Sequence, residues 1–121
     1  MSWWVSLEDE NGRSLSVPRH TEGGTFVLGG TDEAELNVTY NYSARFREAW
    51  PEELRGHGAL TQMLNGLTGA DTIPLLEQAV AKLGTDRSAD YWEPSAGNAG
   101  AALDTLLSWA RTHPQGRWRV S

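Results

Sequence analysis

The residues of this chain that could do chemistry are amides, hydroxyls and arginines rather than nucleophiles or metal ligands. The run Gly97-Asn98-Ala99-Gly100 falls where a helix is expected to begin. A helix start presents unpaired N–H groups at the positive end of the dipole, so Asn98, Ala99 and Gly100 are candidate donors to a phosphate. Small side chains there let a ligand approach closely. The same run also reads as an ordinary Asn cap with Gly100 packed against a neighbour. It lacks the Lys and Ser/Thr of a P-loop and the full spacing of a dinucleotide fingerprint. A second set alternates along the chain: Asn37, Thr39 and Asn41, continuing into Ser43, Arg45 and Arg47. Amides and hydroxyls on one strand face can read ribose or base edges, and the two arginines suit a phosphate. The alternative is a solvated face, common in antiparallel sheets, although Asn is depleted in strands. A third set is Asp90-Tyr91-Trp92-Glu93-Pro94, in which Tyr91 or Trp92 would stack on a base, plug a partner's groove or close over the domain as an apolar lid.

Catalytic chemistry is less well spelled. His20, His57 and His113 sit in three separate segments with no i,i+4 ligand pair, and they read as surface or capping residues. No G-x-S-x-G elbow is present, and the chain has no cysteine. Glu52-Glu53 and Glu8-Asp9-Glu10 read as solvated turns. Dispersed acids such as Glu48, Asp90 and Glu93 keep an enzyme reading open. The expectation is a non-catalytic protein with no cofactor and no metal.

The elements that must position these residues fall into two halves. Trp3, Val5 and Leu7 alternate with Trp4, Ser6 and Glu8, then Asn11-Gly12 signals a tight turn, then Leu15 and Val17 alternate with serines. This predicts a hairpin ended by Pro18. Thr25–Leu28, bracketed by Gly pairs, reads as a third strand. Glu35–Tyr42 is the clearest strand, with Leu36, Val38, Tyr40 and Tyr42 on one face. The remainder reads as helical. Ser43 caps a short helix over 44–50, a turn or two surrounds Leu60–Leu64, and Thr72 caps a helix to Leu83 ended by Gly84. In that last helix Pro74 is expected within the first turn. Asn98 caps a final helix to about Thr112, and Trp118 and Val120 alternate in a strand that rejoins the sheet. The predicted architecture is one α+β domain over residues 1–121. It has an antiparallel sheet of four to five strands and two main helices packed on one face.

Composition narrows the function classes. At 121 residues the chain suffices for one domain with a real core. Its net charge of −6 disfavours a generic nucleic-acid binder. Nine of its ten basic residues are arginine, with Lys82 the exception, as a GC-rich genome would give. Six tryptophans suggest core anchors, with Trp3 or Trp4 available to an interface. The first residues carry no readable secretory signal, and no apolar run approaches a membrane span. The expected setting is the cytoplasm.

Several strings look familiar as a set: Glu22-Gly-Gly-Thr-Phe-Val-Leu-Gly-Gly-Thr31, Glu35-Leu-Asn-Val-Thr-Tyr-Asn-Tyr-Ser43, Asp90-Tyr-Trp-Glu-Pro94 with Gly97-Asn-Ala-Gly100, and Trp109-Ala110 with His113-Pro114. Together they resemble a group of small uncharacterised proteins encoded by tailed bacteriophages and prophages. The resemblance implies a small accessory protein acting in the host bacterial cytoplasm, a setting in which such proteins often counter host defence. It leads us to expect a homo-oligomer that sequesters a small nucleotide-type immune signal. An inhibitor binding a host protein through an acidic and aromatic surface, an enzyme degrading such a signal and a minor virion component remain alternatives.

Overall fold

A computed structural model describes residues 1–21, 30–55 and 58–121. The strand expected over Thr25–Leu28 and the residue His57 lie outside the described residues.

Alternation of large apolar and small polar residues makes β1 (Ser2–Glu8) the central strand of a three-stranded antiparallel sheet. One edge pairs with β4 (Glu35–Thr39), setting Trp3 opposite Val38 and Val5 opposite Leu36. The other pairs with β5 (Arg117–Val120), setting Leu7 opposite Trp118 and Val5 opposite Val120. The C-terminal strand thus rejoins the sheet as its alternation predicts. The outer edge of β5 is closed by the chain before α3. The Trp118 N–H donates to the Leu67 carbonyl at 2.8 Å, and the Val120 N–H to Asn65 Oδ1 at 2.9 Å.

The predicted hairpin between Trp3–Leu7 and Leu15–Val17 shrinks to a single bridge, Glu8 to Ser14. Two causes are visible. The Asp9 carboxylate accepts the N–H groups of Asn11 and Arg13, which widens the turn, and β4 already occupies Ser2 to Ser6 along that edge of β1. The chain leaves instead to form β2 (Ser16–His20), which pairs with β3 (Thr31–Glu33) as a separate two-stranded ribbon. Its register slips between Ser16 and His20, the stretch that contains Pro18. Proline brings no N–H to a ladder and is tolerated at such irregularities. The sheet expected as one piece is therefore divided three and two.

The predicted strand over Glu35–Tyr42 stops at Thr39, whose Oγ1 accepts the Asn41 N–H at 3.2 Å. A threonine or asparagine side chain that bonds a nearby backbone group competes with the ladder. The chain turns through a 3-10 segment, Tyr40–Tyr42, into α1 (Ser43–Ala49). Tyr42 is consequently buried while Tyr40 is 39% exposed, so they do not share the face of Leu36 and Val38.

Three further helices complete the fold: α2 (Ala59–Leu64), α3 (Gly69–Leu83) and α4 (Ala96–Thr112). Helix α3 begins earlier than Thr72, because Thr68 and Asp71 form a capping box. Pro74 therefore lies beyond the first turn and gives up one intrahelical bond. Thr72 turns inward instead, and its Oγ1 accepts the buried Trp118 Nε1–H at 2.8 Å. The Trp50 indole likewise donates to the Leu75 carbonyl at 3.0 Å. Trp3, Trp50, Trp109 and Trp118 are buried, which removes Trp3 from the candidate interface. The helices pack on the sheet face that carries Val5, Leu7, Leu36, Val38 and Trp118. Among the described residues no helix is long and apolar enough to cross a membrane.

Helix α4 packs tightly at Gly100 against Gly84, the residue that ends α3. A Cβ at Gly100 would lie 1.7 Å from the Gly84 carbonyl oxygen, a backbone atom that cannot swing aside. On propensity alone Gly100→Ala should gain up to about 1 kcal/mol. We expect the opposite sign, a loss of about 2 kcal/mol or more from forced overpacking, measured as a lower urea midpoint.

Candidate functional site

The loop between α3 and α4 brings together much of what the sequence singles out. Its bracket is Asn98, third residue of α4 and buried. Its Oδ1 accepts the Ser88 N–H at 2.9 Å, and its Nδ2 faces Ser88 Oγ, the Asp90 carbonyl and the Glu93 carbonyl at 2.9–3.1 Å. One amide thus holds the loop at three residues. It is not the helix cap as predicted. Ser95 is the cap, its Oγ accepting the Asn98 N–H at 3.1 Å. A serine three residues upstream has the right side chain and frees Asn98 to face the loop.

This arrangement changes the expected phosphate seat. The Asn98 and Ala99 N–H groups are taken by Ser95 Oγ and the Ser95 carbonyl. Asn98, Ala99 and Gly100 are buried, and a Cβ at Gly97 would fall 1.8 Å from the Asp86 carbonyl oxygen. The start of α4 is covered by the protein's own chain at 84–88. The small residues there serve close backbone packing rather than an open anion seat.

From its bracket the loop reaches across to β4. The Tyr91 hydroxyl donates to the Asn37 carbonyl at 2.8 Å and accepts the Thr39 N–H at 3.3 Å. These are the outward donor and acceptor that an adjacent strand would otherwise take. Neighbouring bonds reinforce the clasp: Tyr42 Oη donates to the Tyr91 carbonyl, Asn41 Nδ2 to the Trp92 carbonyl at 3.0 Å, and Arg45 Nε to the Pro94 carbonyl at 2.9 Å. Arg45 also pairs with Glu48 at 3.1 Å. The strand face predicted to be either solvated or ligand-reading is neither in full. Asn37 and Thr39 are 3% and 1% exposed, and Asn37 Nδ2 donates to Ser2 Oγ at 2.7 Å. Trp92, 41% exposed, packs edge-on against Tyr91 with ring centroids 5.0 Å apart. Arg47 is not part of this assembly. It faces a different groove, beside Trp3 and Tyr40.

Beneath the clasp lies a cleft of about 490 Å³ between β4, the loop and α4. Leu36, Ala101 and Ala102 give it apolar surface, and Tyr42 and Tyr91 supply aromatic walls. Its rim carries Arg87, Ser88, Thr105 and His20. The His20 ring lies 4.9 Å from Trp109, with its nitrogens 2.9 Å from the Thr21 carbonyl and 2.7 Å from that of Glu33, which ties the ribbon to α4. His113, the C-cap of α4, approaches the Ser16 carbonyl at 2.7 Å. Of the residues predicted for a site, Asn37, Tyr91 and Asn98 line this cleft. Arg87, Ser88, Thr105, Tyr42 and His20 were missed. Arg87-Ser88 falls in a polar connection, and Thr105 is an ordinary helical residue, so neither signals a site in one dimension. No three His, Asp or Glu side chains gather as a metal set among the described residues.

Burial is the main cause that pushes the Tyr42 hydroxyl well above the usual tyrosine range. Tyr91 and Asp90 add to it, and Arg87 partly opposes them. The folded-state value therefore lies above the unfolded one. Its stabilising contribution is complete below about pH 10 and is lost as the pH rises further. Stability should fall in that alkaline window, and Tyr42→Phe should flatten the fall in a pH series of denaturation curves. Tyr91→Phe should cost about 1–2 kcal/mol by leaving the Asn37 carbonyl and Thr39 N–H without their partner. The readout is faster hydrogen exchange at the Thr39 amide, while core amides of α3 stay protected. No protein-family model matches the sequence, and neither the curated proteins nor the solved structures include a match, so the reading of this cleft rests on its own residues.

Proposed function

We propose that the protein is a non-catalytic binding protein that holds a small nucleotide-type anion in the cleft beneath Tyr42 and Tyr91. One observation carries this reading. The chain has 16 acidic residues and a net charge of −6, yet no carboxylate lines the cleft among the described residues. Its one formal charge there is Arg87, whose guanidinium makes no hydrogen bond or ion pair among the described residues. A guanidinium so placed at the rim of a part-apolar cleft suits a phosphate or other oxyanion. Ser88 and Thr105 each donate to a backbone carbonyl, so their oxygens keep acceptor capacity for a ligand N–H or O–H. The tyrosine walls offer flat apolar surface to a base. The volume sits within the range of small-molecule sites.

With the resemblance to phage accessory proteins, the biological role proposed is sequestration of a nucleotide-type immune signal in the host bacterial cytoplasm, by a homo-oligomer. A second reading, an inhibitor that docks on a host protein, is favoured by the exposure of Trp92 and Tyr40, side chains of the kind that anchor interfaces.

The test is thermal melting against cyclic dinucleotides, ADP-ribose derivatives and mononucleotides. A ligand at 100 times its Kd adds about 2.7 kcal/mol, roughly a 10 °C shift for a domain of this size. Arg87→Ala should weaken binding about 10- to 100-fold without lowering the unliganded melting temperature, since a charge-assisted bond contributes about 1.5–3 kcal/mol. Ligand recovered intact after denaturation separates sequestration from turnover. A flat panel with cooperative melting would reject the nucleotide reading and favour a protein partner.

A further inference from the structure

Arg47, expected to clamp the same ligand as Arg45, lines a groove of about 450 Å³ on the other side of the 3-10 turn. Tyr42 faces the first cleft and Tyr40 faces this groove, so one turn separates the two. The groove runs between the Trp3–Tyr40 ring pair, α1 and the start of α2. We propose that it is a second small-molecule site, one that takes a flat ring bearing a single anionic group.

Three observations carry the proposal. The first is the state of the arginine. Arg45, Arg55, Arg111 and Arg117 are each engaged by a carboxylate or a backbone carbonyl. Arg47 has no hydrogen bond or ion pair among the described residues. It stands one helical turn after Ser43, on the same face of α1, so both look into the groove. The second is electrostatic. Two other clefts carry acids beside their bases, Asp9 and Glu10 beside His113 in one and Glu8 and Glu35 beside Arg119 in the other. No carboxylate lines this groove among the described residues, so Arg47 is unopposed. The third is the ring. Tyr40 is 39% exposed yet fixed edge-on to the buried Trp3, with centroids 4.6 Å apart and planes at 68°. An aromatic surface already held in place loses little freedom when a ligand ring lies on it. The Thr61 hydroxyl across the groove makes no hydrogen bond among the described residues and remains available to the ligand. A guanidinium, a fixed ring and a hydroxyl around one groove match an aryl phosphate or aryl carboxylate in kind.

The probe is phenyl phosphate, followed by ¹⁵N chemical shifts of the full chain, with phenol and inorganic phosphate as controls. Saturable shifts are expected at Tyr40, Ser43, Arg47, Ala59 and Thr61, with a Kd on the order of 1 mM for so small a molecule. Each control should bind at least five-fold more weakly. Arg47→Gln should weaken phenyl phosphate at least five-fold, and Arg87→Gln should leave it unchanged, which keeps this site's result separate from that of the first cleft. Tyr40→Leu should weaken phenyl phosphate but not inorganic phosphate. Shifts that never saturate, an Arg47→Gln titration matching the parent, or loss with Arg87→Gln instead would overturn the proposal. Equal binding of inorganic phosphate would overturn its aromatic half.

Discussion

The Tyr91 phenolic oxygen ties the loop between α3 and α4 to the outer edge of the sheet. Tyr91 Oη sits between the Asn37 carbonyl and the Thr39 N–H, acting toward β4 as the backbone of one more strand would. A sheet edge with unmet donors and acceptors needs a cover. Here the cover is a side chain from a loop rather than a strand. Because the loop is itself bracketed by Asn98, the edge of the sheet and the start of α4 are joined through only a few bonds. The cleft exists because this clasp holds the loop off α4 at one end while Asn98 draws it in at the other. Its lining comes from four stretches of the chain, 20–21, 36–42, 87–91 and 98–105.

That division explains why much of the architecture was legible and much of the site was not. Period-2 alternation in Trp3, Val5 and Leu7, and again in Trp118 and Val120, reports burial on one face whichever strand lies alongside. The ends of α3 and α4 follow from Gly84 and from Pro114 beyond His113. Pairing is another matter. Leu15 and Val17 carry the right pattern for a hairpin, but β4 competes for the same edge of β1 and wins, a long-range outcome that local pattern does not encode. The break at Thr39 was hidden for a different reason. Alternation continues through Tyr40 and Tyr42, and only the Thr39 hydroxyl bonded to Asn41 turns the chain.

The site residues divide along the same line. Of the amides, hydroxyls and aromatics that the sequence singles out, Asn37, Thr39, Asn41, Tyr91, Trp92 and Asn98 converge around the loop. Their polar atoms are occupied by one another and by backbone, so they build the wall and the clasp. The groups left with capacity for a ligand are plain ones, Arg87, Ser88 and Thr105. They stand out as the polar part of a lining with no carboxylate among the described residues, which is a property of three-dimensional placement. Arg45 and Arg47 illustrate this within one helix: two residues apart, one is tied to Pro94 and Glu48, and the other faces a separate groove and makes no hydrogen bond or ion pair among the described residues.

The covering of the sheet's two outer edges has a consequence for assembly. Tyr91 closes β4, and Asn65 with Leu67 closes β5. Along β5, and at Asn37 and Thr39 of β4, outward backbone groups are already taken among the described residues, so another chain finds little there to pair with. A partner that meets the sheet at these positions has to engage side chains, through the helices or the aromatic turns. Its affinity is then set by shape and side-chain identity rather than by the generic reach of one backbone for another.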